Sequence, residues 1–138
     1  MKLHGRSIYP GAVQAVSLVT NMGISFFGGV DPDTGIVMEK GHELEGLSVA
    51  GKVLVFPSGK GSTVGSYTLY RMSKNGVAPA AIINTQCEAI TAVGCILGEL
   101  PCIDQVDISE IASGMTLRVD GTLGEIEILK GPTHLAKG

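Results

Sequence analysis

A chain of 138 residues is long enough for one core and too short for two well-packed ones. Ten Lys plus Arg against thirteen Asp plus Glu leave a net charge of -3, with 17% charged and 44% apolar residues, a composition that excludes intrinsic disorder. It also argues against nucleic-acid binding, because counterion release needs a dense basic face and these ten cations are scattered from Lys2 to Lys137 without a cluster.

The first sixteen residues carry charged and polar side chains where a signal peptide needs an apolar stretch, and no run reaches the length of a membrane span. A cytoplasmic protein is expected. With no Trp, three Tyr and three Phe, the core must be built from Val, Ile, Leu, Ala and Met. Residues 11–20 are rich in Val and Leu and read as a strand, residues 24–30 as a second short apolar run, and Asp31-Pro-Asp-Thr-Gly35 as a turn. Residues 36–38 resume an extended run, residues 41–46 read as a surface loop, and residues 51–56 as a buried strand. Up to Phe56 every signal is β.

The pattern then changes. Residues 57–65 form a Gly-rich loop, and residues 66–74 place Leu69 and Met72 at helical spacing before the stop at Asn75-Gly76. Residues 80–84 read as a buried strand, residues 88–97 as a helix on Ile90, Val93, Ile96 and Leu97, and residues 101–103 as a third extended piece. The order β, α, β, α, β predicts parallel pairing with right-handed crossovers. Residues 115–119 and 124–128 flank Asp120-Gly121, a hairpin-type turn pair, and residues 129–138 read as a frayed tail. The expected fold is α/β: a single domain over 1–138, with a barrel-like β part layered against a βαβ-containing centre. Its low charge fraction points to a buried interface with another chain.

The loop after Phe56 is the segment most suggestive of chemistry. A strand, a Gly-rich turn and a helix start together present backbone N–H groups and a helix dipole to an anion. It is not a Walker A loop, which needs a Gly five residues before Gly59, and its glycines at 59, 61 and 65 miss GxGxxG by one residue. Two readings stay open: a cradle for phosphate or carboxylate, and a tight turn whose hydroxyls cap the helix. Ser62 and Thr63 lie where an N-cap belongs, with Ser66 about one turn further on. If a serine hydroxyl has the acidity of water, about 15.7, its deprotonation near neutrality costs roughly 11 kcal/mol, against about 2 kcal/mol from a helix terminus. A serine base here needs a partner, metal or substrate to complete the site.

Other reactive residues give weaker patterns. His4, His42 and His134 form no HxxxH pair and read as exposed or capping side chains. Asp31, Asp33 and the acidic residues between Glu39 and Glu45 lack the oxygen-ligand spacing of an EF-hand and read as solvated turns. Cys87, Cys95 and Cys102 fit neither a disulfide framework nor a CxxC metal site, and read as small buried hydrophobes in a reducing compartment.

The run Gly51-Lys-Val-Leu-Val-Phe-Pro-Ser-Gly-Lys-Gly-Ser-Thr-Val-Gly-Ser-Tyr67, followed by Ala78-Pro-Ala-Ala-Ile-Ile-Asn84, resembles the small subunits of the aconitase X family. Asp31-Pro-Asp-Thr-Gly-Ile-Val37, Gly41-His42 and residues 101–104 are similar to that family as well, and the resemblance covers residues 1–128. It implies a swivelling β/β/α domain that closes over a large subunit holding a 4Fe-4S iron-sulfur cluster, with no metal on this chain. The implied reaction is loss of water from 5-phosphomevalonate to give trans-anhydromevalonate 5-phosphate, on the modified mevalonate route to isoprenoids. The serine at the position of Ser62 would be the proton acceptor, while the cluster binds the departing hydroxyl as a Lewis acid. On chemical grounds Ser58, Gly59, Lys60, Gly61 and Thr63 are then the candidates for holding the substrate's carboxylate or phosphate. A related member of the family dehydrates cis-3-hydroxyproline, and a stand-alone anion-binding regulatory domain is the alternative from another class.

Overall fold

Continuous apolar runs that are buried on both faces belong in the middle of a covered sheet, and two such runs here organise the molecule. The computed structural model describes residues 1–132. In chain order the elements are β1 (Lys2–His4), β2 (Arg6–Tyr9), β3 (Ala12–Val19), a distorted helical turn α1 (Phe26–Gly29), β4 (Val53–Phe56), α2 (Gly65–Lys74), β5 (Ala81–Asn84), α3 (Ala89–Gly98), β6 (Cys102–Asp104), β7 (Thr116–Asp120) and β8 (Glu125–Lys130). Every residue of β4 and β5 is buried.

The strands form one mixed sheet in the order β1-β8-β7-β3-β4-β5-β6-β2. Strands β3, β4, β5 and β6 pair in parallel, as the alternating β and α signals predict, while β7, β8, β1 and β2 join antiparallel. The outermost strands β1 and β2 are separated in sequence by Gly5 alone, so the two ends of the sheet meet and the β part closes on itself. Gly5 donates its N–H to the Gly124 carbonyl at 2.9 Å. Beside it, Arg6 Nε and Nη2 donate to the two carboxylate oxygens of Asp104 at 2.9 and 2.8 Å, a bidentate pair that ties β2 to β6.

Alternation along the central strands divides the core in two. Val53, Val55, Ala81, Ile83 and Ile103 meet Leu117, Val119 and Ile126 inside the curled sheet. Leu54, Phe56, Ile82 and Cys102 face the other way, against Phe26, Leu69, Met72 and Cys95 of the helical layer. Each fully buried aliphatic side chain contributes about 1.5–3 kcal/mol. The helices approach closely where α3 offers Gly94, since a Cβ there would lie 2.6 Å from the Leu69 side chain. Helix α3 starts at Glu88, whose carboxylate accepts the N–H groups of Ile90 and Thr91, both at 2.8 Å.

The first half departs from the expected all-β pattern. Residues 24–30 are not a strand: Ile24 makes a single bridge, and Gly28 at φ +82 turns the chain through α1. Residues 36–38 pair only through the bridges Val30↔Val37 and Ile36↔Ser48. The β7–β8 connection is Gly121, Thr122, Leu123 and Gly124 rather than a two-residue turn, because the Asp120 carboxylate accepts both the Thr122 and Leu123 N–H groups at 3.0 Å. Strand β8 continues to Lys130, two residues into the segment expected to fray, and residues 133–138 with His134 lie outside the described residues. Among the described residues, no helix is long and apolar enough to cross a membrane.

A Cβ at Gly5 would collide with the Asp104 carbonyl and lie 2.7 Å from the Val106 side chain. Gly5→Ala is therefore expected to lower the urea midpoint by an amount worth about 1–3 kcal/mol with an unchanged slope. A wild-type midpoint in that variant would show that the sheet closes without this contact.

Candidate active site

The Gly-rich loop leaves the C-terminal end of β4, between the ends of the parallel strands β3 and β5, at the edge of the sheet where α/β folds place ligands. Its base is fastened by backbone. The Pro57 carbonyl accepts the Thr85 and Gln86 N–H groups at 3.1 Å each. Ile24 then bridges to the loop from the other side, donating its N–H to the Ser58 carbonyl at 3.3 Å and accepting the Lys60 N–H at 2.9 Å. Gly59, between them, lies against the start of α3, where a Cβ would collide with the Glu88 carboxylate and the Thr91 hydroxyl. Gly61 adopts φ +91 and passes over Ser25.

Past Gly61 the loop is exposed. Ser62 opens α2: its Oγ accepts the Val64 N–H at 3.1 Å and its carbonyl accepts the Gly65 N–H at 2.9 Å. Thr63 follows with an exposed side chain, its carbonyl accepting the Ser66 N–H at 3.4 Å. Among the described residues, no acid, base or cation hydrogen bonds to Ser62 Oγ, and the N–H groups of Gly61, Ser62 and Thr63 have no acceptor. Three consecutive free donors ahead of a helix N-terminus make an arrangement suited to an anion. Ser66, considered from sequence as a further hydroxyl of the site, is instead buried and donates to the Ile90 carbonyl at 2.7 Å, tying α2 to α3.

An open depression of about 390 Å³ adjoins the loop, lined by Ser25, Phe27, Gly28, Glu39, Lys60 and Gly61 among others. Lys60 reaches into it across Gly23, and its Nζ donates to Glu39 Oε2 at 3.0 Å. The acidic segment 39–45, read from sequence as a solvated turn, thus faces the loop. Glu43 belongs to the same brace: its Oε1 accepts the Thr20 hydroxyl and, at 3.0 Å, the Asn21 N–H. These two hydrogen bonds, the Thr20 hydroxyl foremost, hold the Glu43 carboxyl below the ordinary glutamate value. His42, expected to be exposed or capping, does cap a turn but is only 5% exposed. The turn-forming Gly41 and Gly46 give no hint that His42 and Leu44 between them point inward.

Residues 2–128 match the family described as the aconitase X swivel domain. The chain belongs to that family. It is 50% identical over 130 residues to the phosphomevalonate dehydratase small subunit of Thermococcus kodakarensis, covering 94% of this chain and 98% of that one. The small subunit of the same name from Methanocella arvoryzae is 51% identical over 131 residues, covering 93% and 99%. The crystal structure of Thermococcus kodakaraensis aconitase X in its holo form superposes with a TM-score of 0.93 at 49% identity, covering 94% of this chain and 99% of that one.

The aconitase X resemblance implies an iron-sulfur cluster, and the thiols of this swivel domain do not suit one. Cys95 and Cys102 are buried, Cys87 is half-buried, and the Sγ atoms of Cys87 and Cys102 are 4.0 Å apart. Here the Cys87 thiol is pushed far up by its hydrogen bond with Cys102, by burial and by the charges of Asp104 and Glu88. Cys102 is raised as well: its contact with Cys87 acts to lower it, and the contact with Cys95 together with burial outweighs that. Among the described residues, no group of three or more His, Cys, Asp or Glu side chains is arranged to hold a metal ion.

Because the Glu43 carboxyl is depressed in the folded state, its contribution is present above the ordinary glutamate value of about 4.3 and is lost as pH falls through the folded value. Glu43→Gln should therefore be less stable than wild type at pH 7, with the gap closing as the pH falls below about 4. Urea midpoints measured across pH 3–7 test this, and parallel curves would remove Glu43 from the brace.

Proposed function

We propose that this chain is the cytoplasmic small subunit of a two-chain hydro-lyase that converts (R)-5-phosphomevalonate to trans-anhydromevalonate 5-phosphate, with Ser62 as the general base. The single observation that carries this reading is an exposed serine hydroxyl at the start of α2, beside free backbone donors and bonded, among the described residues, to the Val64 N–H alone, with no acid, base or cation on it. The names of its half-identical relatives agree with it. Ser62 takes the proton from the carbon next to the substrate carboxylate, the C–H electron pair becomes the C=C bond, and the hydroxyl on the next carbon leaves with its bonding pair as hydroxide, which becomes water by taking up a proton from solvent while Ser62 returns its own proton to solvent. A serine so placed cannot become a base on this chain's resources alone, since the helix terminus supplies only a small part of the roughly 11 kcal/mol required. The remainder is assigned to the substrate and to the large subunit, where this proposal also places the iron-sulfur cluster.

Ser58, Gly59, Lys60, Gly61 and Thr63 hold the substrate's anionic groups in this reading. The N–H groups of Gly61, Ser62 and Thr63 are donors to a carboxylate or phosphate, and Lys60 supplies the cation. Gly59 acts sterically, by letting the loop lie flat on Glu88 and Thr91. A partner is also favoured by the apolar surface. Helix α3 carries no charged side chain and leaves Val93, Ile96 and Leu97 exposed, while Phe27, Val64 and Tyr67 stand uncovered around the loop.

Ser62→Ala is expected to lower turnover of phosphomevalonate by roughly a hundred- to ten-thousandfold while leaving association with the large subunit intact. Near-normal turnover by that complex would remove Ser62 as the base. Assay of the wild-type complex on cis-3-hydroxyproline alongside phosphomevalonate decides the substrate, and saturable binding of phosphorylated metabolites to the isolated chain would favour the stand-alone regulatory reading.

A further inference from the structure

Both ring nitrogens of His42 are engaged. The Leu44 N–H, which can only donate, points at Nδ1 at 3.0 Å, so the proton sits on Nε2, which lies 3.0 Å from the Gly23 carbonyl and donates to it. Gly23 immediately precedes Ile24, the residue that pins the Ser58 carbonyl and the Lys60 N–H. Its Cα side is equally constrained: a Cβ on Gly23 would lie 3.2 Å from the Ser58 carbonyl oxygen and 3.4 Å from the Lys60 stem. Glu43 holds Thr20 and Asn21 just upstream, and Glu39 holds Lys60 just downstream. The imidazole therefore stands in the middle of a brace whose other members are ion pairs and hydrogen bonds at or near the surface.

We propose that His42 is a positioning residue for the loop that carries Ser62, acting through the Nε2–H bond to Gly23 and the Ile24 bridge. This deepens the reading of that loop as catalytic and rests on it. His42 itself is buried and does not touch substrate. Its role is to fix the height of Ile24, and through it the base of the loop between Ser58 and Lys60, so that Ser62 reaches the reacting carbon at one distance. An error of about 1 Å in such a placement costs on the order of a hundredfold in rate.

Two variants separate this reach from ordinary packing. His42→Asn keeps an acceptor where Nδ1 stands, so the local turn to Leu44 survives while the donor to Gly23 is lost. His42→Gln extends an amide N–H to the position of Nε2 and restores that donor. In the assembled two-subunit complex, His42→Asn is expected to lower kcat by about tenfold to a hundredfold with KM within about threefold of wild type, and His42→Gln to recover most of the loss. Amide hydrogen exchange on the same complexes gives a readout independent of turnover: the Ile24 and Lys60 N–H groups should exchange faster in His42→Asn, with β4 and β5 unchanged, and return toward wild type in His42→Gln. Wild-type kcat and exchange in His42→Asn would overturn the inference. So would equal damage in both variants, including failure of both to fold, since that assigns His42 to packing. If the wild-type complex does not dehydrate phosphomevalonate, the reaction is wrong, and the exchange comparison still decides whether His42 holds the loop.

Discussion

The whole architecture depends on one residue without a side chain. Gly5 is the only link between β1 and β2, the two ends of the sheet order, so wherever it lies the sheet must close. The closure is tight enough that the carbonyl of Asp104 occupies the space a Cβ would need. The Asp104 carboxylate is fully buried there, and it is tolerated because Arg6 meets both oxygens and the Cys87 N–H meets one of them at 2.9 Å. A charge buried in this way fixes the register of β2 on β6 and, with it, the start of the segment that leads to α3.

That closed β part is the frame on which the loop is mounted. Strand β4 is parallel to β3 on one side and to β5 on the other, so the loop at its end is flanked by the residues that follow β3 and by those that follow β5. Ile24 comes from the first group, Thr85 and Gln86 from the second. The base of the loop is therefore held by backbone from both neighbours, while Ser62 and Thr63 rise above it with only the start of α2 to direct them. Precision at the base and accessibility at the tip suit a group that meets reactants contributed by another surface.

Much of this could be read in the sequence where local signals agree with tertiary context. Strands β4 and β5 announce themselves as apolar runs, α2 as a periodic segment closed by Asn75-Gly76, and the Gly-rich loop lies between β4 and α2 as expected; α3 is a helix opened by Glu88, but Val93, Ile96 and Leu97 of its periodic set stand exposed while Thr91, Gly94, Cys95 and Gly98 pack inward. Strands β1 and β2 were not legible, because three or four residues around a glycine carry no period and their partners lie at the far end of the chain. Residues 24–30 misled for a related reason. Their apolar character reports burial of Ile24, Phe26 and Val30, but the backbone is set by Gly28, not by a strand partner. The acidic turn around His42 looked solvated since charge is ordinarily an outward signal. Its inward reach depends on Thr20, Gly23 and Lys60, which no spacing rule connects to it.

The pairing of the first strand has a consequence for how the chain is made. Lys2 lies opposite Glu127, so β1 emerges before every other strand described here and finds its partner last, whereas Arg6 of β2 can meet Asp104 as soon as β6 is out. During synthesis the parallel centre from β3 to β6 can assemble from segments already delivered, but the curled sheet stays open until β8 emerges. Contacts this distant in sequence are slow to form, and until they do the inner faces of Val53, Val55 and Ile83 remain uncovered. The nascent chain thus passes through a stage in which its most apolar strands are complete and half of their shelter has yet to be translated.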